Sequence, residues 1–277
     1  MKNIYLPKLM TIQDVVDETP DTRTLKLHFN DEAIKESFNF KAGQFGEYSV
    51  LGVGECTFCI ASSPTRKGYI ECCFKKVGRV TSALADLNVG DVIGFRGPYG
   101  NSFPLDEVKG KNLLFVGGGI GLAPLRSFIW NCLDLREEFG DITIIYGARS
   151  ISDLVYKKEI LNWEERSDVK IIKTVDPGGE EEGWDGKVGF VPTVLKDEAP
   201  SSDNTYVVTC GPPIMIKFVL QTLEQLGFKD EQVYTTLENK MKCGVGKCGR
   251  CNIGDVYICK EGPVYNSAQV KKMYKDF

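Results

Sequence analysis

Residues 112–134 read NLLFVGGGIGLAPLRSFIWNCLD: an apolar run, a glycine-rich turn and an amphipathic segment in immediate succession, and that order decides the fold. The run Leu113–Val116 lacks polar alternation, as suits a strand covered on both faces of a sheet. After the turn, Leu125, Phe128, Ile129, Cys132 and Leu133 recur at helical spacing and fall on one face. Between the two, Gly119, Gly121 and Pro124 stand at the places of a G-x-G-x-x-G fingerprint, with proline at the third glycine. A turn of this kind directs backbone amides and a helix N-terminus at a pyrophosphate. A tight strand–helix turn that holds no ligand is the alternative reading. Pro124 is tolerated because the amide it lacks is an orphan in the first helical turn.

Working outward, the strands DITIIYG, VKIIKTV, TYVVTCG and QVYTTLE join NLLFVGG and alternate with helical patterns. They predict a five-stranded parallel sheet with helices on both faces. PIMIKFVLQTLEQLG predicts a further helix, closed by Gly227 as a left-handed cap. From about residue 6 to residue 100 the rhythm is different. The runs TIQDVVDET, TRTLKLHF, FGEYSVL, TFCIASS, YIECCFKKV and DVIGFRG are short, rich in β-branched or aromatic residues, and bounded by Gly, Pro, Asp or Asn. Six such strands predict a small antiparallel barrel, closed by GPYGNSF around Pro98 and Gly100 in a structural role. The expected domains are a barrel at 1–104, an α/β domain at 105–236, and a small cysteine-bearing lobe at 237–277.

A chain of 277 residues with 42% hydrophobic and 26% charged content has room for two domains and no need of disulfides. Its formal net charge of -4 argues against a nucleic-acid partner, which would demand a basic face. The Lys-Lys pairs at 75–76, 157–158 and 271–272 read as solvated surface. No uninterrupted apolar run reaches the roughly eighteen residues of a membrane span. MKNIYLPKLM lacks the apolar stretch of a signal peptide, so a cytoplasmic protein is expected.

Near the C-terminus CGVGKCGRCNIGDVYIC places Cys243, Cys248, Cys251 and Cys259 at separations of four, two and seven intervening residues. The first three reproduce the C-x4-C-x2-C run that wraps a 2Fe-2S cluster in plant-type ferredoxins, with the fourth thiolate arriving later in the chain. Such a loop must turn thiolates inward while its amides also face the cluster, and Gly244, Gly246 and Gly249 permit the backbone angles required. Zinc is the competing reading. It more often shows two separated C-x2-C pairs, and only Cys248 and Cys251 form one here. Disulfides fit less well, because ten cysteines without a secretory segment suit a reducing compartment.

GGGIGLAPLRS, YGARS, CGPPIM and the barrel segments together resemble the ferredoxin-NADP reductase superfamily. The tail LENKMKCGVGKCGRC followed by YICKEGPVY narrows the resemblance to the flavin and iron–sulfur reductase subunits of multi-subunit anaerobic enzymes. These include the B subunit of anaerobic sulfite reductase, the gamma subunit of sulfhydrogenases and the electron-transfer subunit of dihydroorotate dehydrogenase. The resemblance implies FAD on the barrel, NAD(P)H on the α/β domain and a 2Fe-2S cluster on Cys243, Cys248, Cys251 and Cys259. The family's flavin segment, Arg-x-Tyr/Phe-Ser-x-x-Ser, falls on residues 56–62, which places Phe58, Cys59, Ile60 and Ser62 at the flavin. Cys56 replaces the arginine, and Cys59 replaces the serine facing flavin N5 with a weaker donor. Gly78, Arg79, Val80 and Thr81 match the flavin pyrophosphate turn, and Arg79 is a substitute for the cation missing at Cys56. Barrel core is the alternative for the residues around Phe58.

For the nucleotide, the resemblance assigns Gly118, Gly119, Ile120, Gly121, Leu122, Ala123 and Pro124 to the cradle and Arg149 and Ser150 to the end of the second parallel strand. An arginine there accommodates a 2′-phosphate, yet related subunits use either nucleotide, so NADH and NADPH both stay open. Cys210, Gly211 and Pro212 match the family's Cys-Gly-Pro where the nicotinamide enters, and Glu238 occupies a family acidic position. Cys210 and Glu238 are the candidate catalytic residues, with a buried small residue and a surface carboxylate as their plainer readings. His28, the one histidine, lies in a strand and suits no general base, and the acids at 164–165 and 180–182 read as solvated. The expected function is a relay in which electrons pass between NAD(P)H, FAD and the cluster and a partner catalytic subunit. A self-sufficient NAD(P)H:ferredoxin-type reductase and a zinc-bearing docking subunit are the alternatives.

Overall fold

Alternation of apolar and polar residues builds the first sheet. In β2 (Thr22–Phe29), Leu25, Leu27 and Phe29 are buried while Lys26 and His28, between them, are only half-buried. The computed structural model describes residues 3–273. In it β1 (Lys8–Thr19), β2, β3 (Phe45–Val50), β4 (Gly54–Cys59), β5 (Ile70–Lys75) and β6 (Val92–Tyr99) form one six-stranded sheet in the order β4-β3-β6-β1-β2-β5. All its pairings are antiparallel. Short helices α1 (Glu32–Ser37) and α2 (Arg79–Ala85) lie between strands. Met10, Ile12, Leu25, Leu27, Tyr48, Phe74 and Phe95 make the core.

The six expected strands are all present, one of them shifted. TFCIASS pairs as Gly54–Cys59, and its second half leaves the β3 ladder. Ile60 N–H donates to the Gln44 carbonyl and Ala61 N–H to that of Glu71, so the segment continues as extended chain held from two sides.

The second sheet has seven strands, in the order β10-β9-β8-β7-β11-β12-β15. Its centre is the expected five: β7 (Asn112–Gly118), β8 (Ile142–Ala148), β9 (Lys170–Val175), β11 (Thr205–Cys210) and β12 (Val233–Thr236), all parallel. The additions are β10 (Lys187–Val188) and β15 (Val264–Asn266), pieces of two and three residues that are too short to carry a periodic signal. Helices α3 (Leu122–Asp134), α4 (Lys157–Glu164), α5 (Val191–Glu198) and α6 (Pro213–Gln225) connect the strands. The apolar face read from the sequence of α3 is buried at every position. Past α6, Gly227 takes φ +85° and donates to the Glu224 carbonyl, the left-handed cap expected of it.

Two compact units divide the chain. The first gathers the residues up to Phe103, Arg126–Asn131 and Leu237–Val264; the second gathers Pro104–Leu125, Cys132–Thr236 and the residues from Tyr265 on. The cysteine segment thus groups with the barrel and contains the hairpin β13 (Asn252–Ile253) and β14 (Val256–Tyr257) and the helical turn α7 (Ile258–Glu261). Helix α8 (Ser267–Met273) groups with the second unit, where Lys271 pairs with Asp230 at 2.8 Å. No helix among the described residues is long and apolar enough to cross a membrane.

Candidate cluster, flavin and nucleotide sites

Glycine sets the path of the cysteine loop: Gly244, Gly246 and Gly249 all take φ near +70°, where a side chain would be strained. The loop's amides turn inward as a result. Val245, Lys247 and Cys248 direct N–H groups at the Cys243 sulfur from 3.5, 3.3 and 3.5 Å. Gly246 N–H donates to Cys259 Sγ at 3.1 Å, and Cys259 N–H to Cys251 Sγ at 3.5 Å. Burial pushes the Cys243 thiol up, but the three amides outweigh it and bring the pKa down to about 6. Burial, reinforced by the neighbouring Cys251 thiol, pushes Cys259 up to about 12 against the Gly246 amide.

The sulfurs lie as two pairs, Cys243 beside Cys248 and Cys251 beside Cys259. Among the described residues no three such side chains converge on one point as ligands of a single ion. Two thiol pairs with amides aimed at sulfur fit a four-cysteine 2Fe-2S cluster, whose potential responds to hydrogen bonds at sulfur. Cys243, Cys251 and Cys259 are buried and Cys248 is exposed.

Sequence reading missed the seat of this loop. Arg96, at 4% exposure on β6, donates through Nη1 to the Cys243 carbonyl at 3.0 Å and through Nη2 to that of Lys242 at 3.3 Å. Its Nε and Nη2 each reach the Glu55 carboxylate at 2.9 Å. Beside it on β3, Glu47 is buried, accepts from Thr57 and keeps Oε1 without a hydrogen-bond partner. Burial pushes the Glu47 carboxyl up to about 7, against the Thr57 hydrogen bond and the Arg96 charge. Tyr99 belongs to GPYGNSF, read above as structural only, and Arg96 lies in the strand run DVIGFRG. Their one sequence signal was a charged residue in an otherwise apolar barrel strand.

The two segments expected to meet the flavin belong to the same unit. Ile60 and Ser62 are fully buried, and Ser62 Oγ accepts from the Glu71 amide at 3.1 Å. Phe58 is half-buried, its ring 5.6 Å from those of Tyr48 and Phe74, and Cys59 is half-buried beside it. Arg126 donates to the Ala61 carbonyl at 2.9 Å and pairs with Glu71 at 2.6 Å, while Ser127 donates to the Ser62 carbonyl at 2.7 Å. The segment is therefore pinned by two consecutive residues of α3. In the second flavin segment the Thr81 hydroxyl accepts from the amides of Val77 and Gly78 at 3.0 and 2.8 Å. Val80 packs beside Gly54, and exposed Arg79 makes no ion pair among the described residues.

On the nucleotide side, β7 runs into a turn at Gly119–Gly121, with Gly119 at φ +53°, and then into α3. This is the strand–turn–helix context that the glycine fingerprint requires. A β-carbon on Gly121 would stand 2.5 Å from the Cys210 carbonyl oxygen, and one on Gly118 would stand 3.3 Å from Pro212. The Gly118–Pro124 turn and the Cys210–Gly211–Pro212 turn thus meet at the carboxyl ends of adjacent strands, where Cys210 pairs with Gly117. Strand order reverses between β7 and β11, the position at which open parallel sheets take ligands. Ile120 is exposed there, whereas Leu122 and Ala123 are buried under the turn.

Cys210 is buried and accepts a hydrogen bond from Thr236 Oγ1 at 3.2 Å. Arg149 is 72% exposed and pairs with Asp153 at 3.0 Å, and Ser150 bonds to Ser152 and the same aspartate. Glu238 is solvent-exposed by area, yet enough protein surrounds its carboxyl group for burial to raise the pKa. His28 sits in β2 opposite Thr11.

Three family models match along the chain: an oxidoreductase FAD-binding domain over residues 9–103, an oxidoreductase NAD-binding domain over 115–221, and the iron-sulfur cluster binding domain of dihydroorotate dehydrogenase B over 238–271. Sulfhydrogenase 1 subunit gamma of Pyrococcus furiosus is 39% identical over 95% of this chain and 91% of its own length. The probable electron transfer subunit of dihydroorotate dehydrogenase B (NAD(+)) from Thermococcus kodakarensis is 34% identical over 95% of this chain and 97% of its own. Among solved structures, an NADH-dependent reduced ferredoxin-NADP oxidoreductase aligns over 100% of this chain and 95% of its own, with TM-score 0.72 and 23% identity. A ferredoxin NADP+ reductase from Neisseria gonorrhoeae aligns over 82% of this chain and 96% of its own, with TM-score 0.69 and 22% identity. At these identities the two structures establish a shared fold.

Proposed function

The chain belongs to the family of iron–sulfur flavoproteins that contains the gamma subunits of sulfhydrogenases and the electron-transfer subunits of dihydroorotate dehydrogenase B, and from that membership we propose a working assignment for each of its sites. It is an oxidoreductase with FAD-binding, NAD-binding and iron–sulfur cluster-binding domains. Its role is to carry electrons between NAD(P)H and a partner catalytic subunit of a hetero-oligomeric complex, or a ferredoxin. FAD, when bound, supplies the exchange between the two-electron chemistry of a nicotinamide and the single-electron steps of a 2Fe-2S cluster.

In this reading Cys243, Cys248, Cys251 and Cys259 hold the cluster. Phe58, Cys59, Ile60 and Ser62 line the flavin, and Gly78, Arg79, Val80 and Thr81 hold its phosphates. Gly118, Gly119, Ile120, Gly121, Leu122, Ala123 and Pro124 cradle the nucleotide pyrophosphate, with Arg149 and Ser150 toward its ribose and Gly211 and Pro212 beside the nicotinamide. Cys210 serves the hydride path beside the nicotinamide, and Glu238 faces the flavin. The corresponding domains are 1–104, 105–236 and 237–277. A cytoplasmic location is supported by ten cysteines that are all free thiols.

The single observation that carries the reading is the pair of thiol couples with five amide contacts aimed at their sulfurs, on a unit that also contains the flavin barrel. The test is a visible spectrum of anaerobically purified protein with iron, acid-labile sulfide and flavin assays, followed by titration with NADH and NADPH. Flavin plus about two iron per chain, both bleached by a nicotinamide, is the expected result. Zinc in place of iron, or a flavin that neither nucleotide reduces, overturns it.

A further inference from the structure

We propose that Arg96 is the positioning residue of the cluster, fixing the ligating loop on the barrel and setting the cluster's reduction potential through its charge. The proposal rests on the electron-relay reading above.

The geometry is specific. One guanidinium spends its donors in two directions: Nε and Nη2 form a fork on the Glu55 carboxylate, both at 2.9 Å, while Nη1 and Nη2 reach the carbonyls of Cys243 and Lys242. Nη1 also lies 3.3 Å from the Tyr99 hydroxyl. The two carbonyls belong to the first cluster ligand and to the residue before it. Only a planar fork with five donors spans a carboxylate and two consecutive carbonyls at once, and a lysine ammonium cannot. Ser49 Oγ donates to Glu55 at 2.8 Å and completes its orientation.

A buried ion pair is weak evidence of a stability role, because apolar residues of similar volume often serve as well. This pair is better explained by where it holds charge. Arg96 is 3% exposed as a side chain, so its charge is poorly screened, whereas Glu55 is 36% exposed. Reduction adds one negative charge to a cluster already carrying four thiolates, so a cation held against the loop favours the reduced form and a carboxylate disfavours it. The two partners of one ion pair therefore act on the potential with opposite signs.

That opposition separates electrostatic positioning from mere support. The full chain would be purified anaerobically as wild type, Arg96→Gln, Arg96→Lys and Glu55→Gln, and the cluster midpoint read by EPR-monitored redox titration alongside iron, sulfide and FAD content. The expected result is a more negative midpoint in Arg96→Gln, a more positive one in Glu55→Gln, and a midpoint between wild type and Arg96→Gln in Arg96→Lys, which keeps the charge but loses the fork, with FAD content unchanged throughout. Shifts of the same sign in Arg96→Gln and Glu55→Gln, or no shift in either, overturn the proposal. Should Arg96→Gln fail to retain a cluster, Glu55→Gln alone decides, since a downward or absent shift there is incompatible with it. Absence of iron and sulfide from the wild type would instead overturn the relay reading itself.

Discussion

Gly244 packs against Tyr99: a β-carbon at Gly244 would stand 2.6 Å from the edge of the tyrosine ring. The same glycine takes φ +72°. The residue following Cys243 is thus held to glycine twice, by a neighbour and by its own backbone.

Gly244→Ala is expected to lower iron and acid-labile sulfide per chain while FAD content stays at the wild-type value. The left-handed conformation alone costs about 1–2 kcal/mol for alanine, before any displacement of Tyr99. Adding Tyr99→Leu relieves the clash but not the backbone strain, so the double variant recovers only part of the iron. Iron assays on the three proteins check this.

Removing one of the four proposed cluster cysteines is expected to separate the two chromophores. Cys259→Ala leaves Cys251 without its neighbouring thiol and the Gly246 amide without an acceptor. The cluster absorbance should disappear with the flavin spectrum retained, because Cys259 is remote in sequence from both flavin segments. Loss of both spectra together would show that the lobe is needed to fold the barrel.

Gly121→Ala should block the nucleotide route at its origin. The new methyl group meets the Cys210 carbonyl oxygen at 2.5 Å, a backbone atom that cannot rotate away. Stopped-flow reduction of the flavin by NADH and NADPH is expected to fall at least tenfold, equivalent to about 1.4 kcal/mol, while dithionite still reduces flavin and cluster fully.

The Arg126–Glu71 pair, with side chains 8% and 15% exposed, supports the extended segment after β4 through the Ala61 carbonyl. Arg126→Ala strands a buried carboxylate and is expected to destabilise the first unit by about 3–5 kcal/mol. Arg126→Met with Glu71→Gln removes both charges and should recover much of that loss. Denaturant midpoints of the two variants against wild type check the order.

Glu47 gives the pH dependence. Its folded pKa of about 7 lies above the ordinary 4.5, so between these values the folded state holds a proton that the unfolded chain releases. Stability then falls as pH rises from about 4.5 to about 7 and stays low above, by on the order of 3 kcal/mol for a shift of this size. Glu47→Gln should be more stable than wild type at pH 8 and nearly equal to it at pH 5 in paired denaturant titrations.

Much of the architecture was legible because strand and helix periodicities are local. Leu125, Phe128, Ile129, Cys132 and Leu133 spell the buried face of α3 without reference to anything else in the chain. The six barrel strands and the five central strands of the parallel sheet were readable in the same way, as was the cap at Gly227. The short strands β10 and β15 were not, since two or three residues contain no period.

The cysteine spacing and the glycine turn identified the kind of chemistry from residues alone, because a loop that wraps a cluster and a turn that cradles a pyrophosphate each close within one short stretch. The sorting of the thiols into two couples, the hydrogen bond from Thr236 to Cys210 and the Arg96 seat required the tertiary structure. Arg96 and Cys243 are 147 residues apart. Nothing in the neighbourhood of either residue announces the other. Their meeting depends on β6 lying between β3 and β1, on strand register turning Arg96 toward Glu55, and on the last segment returning to the barrel. Local sequence sets the period of an element, whereas sheet order and register set which distant side chains share a face, and these are decided only when the whole chain has packed.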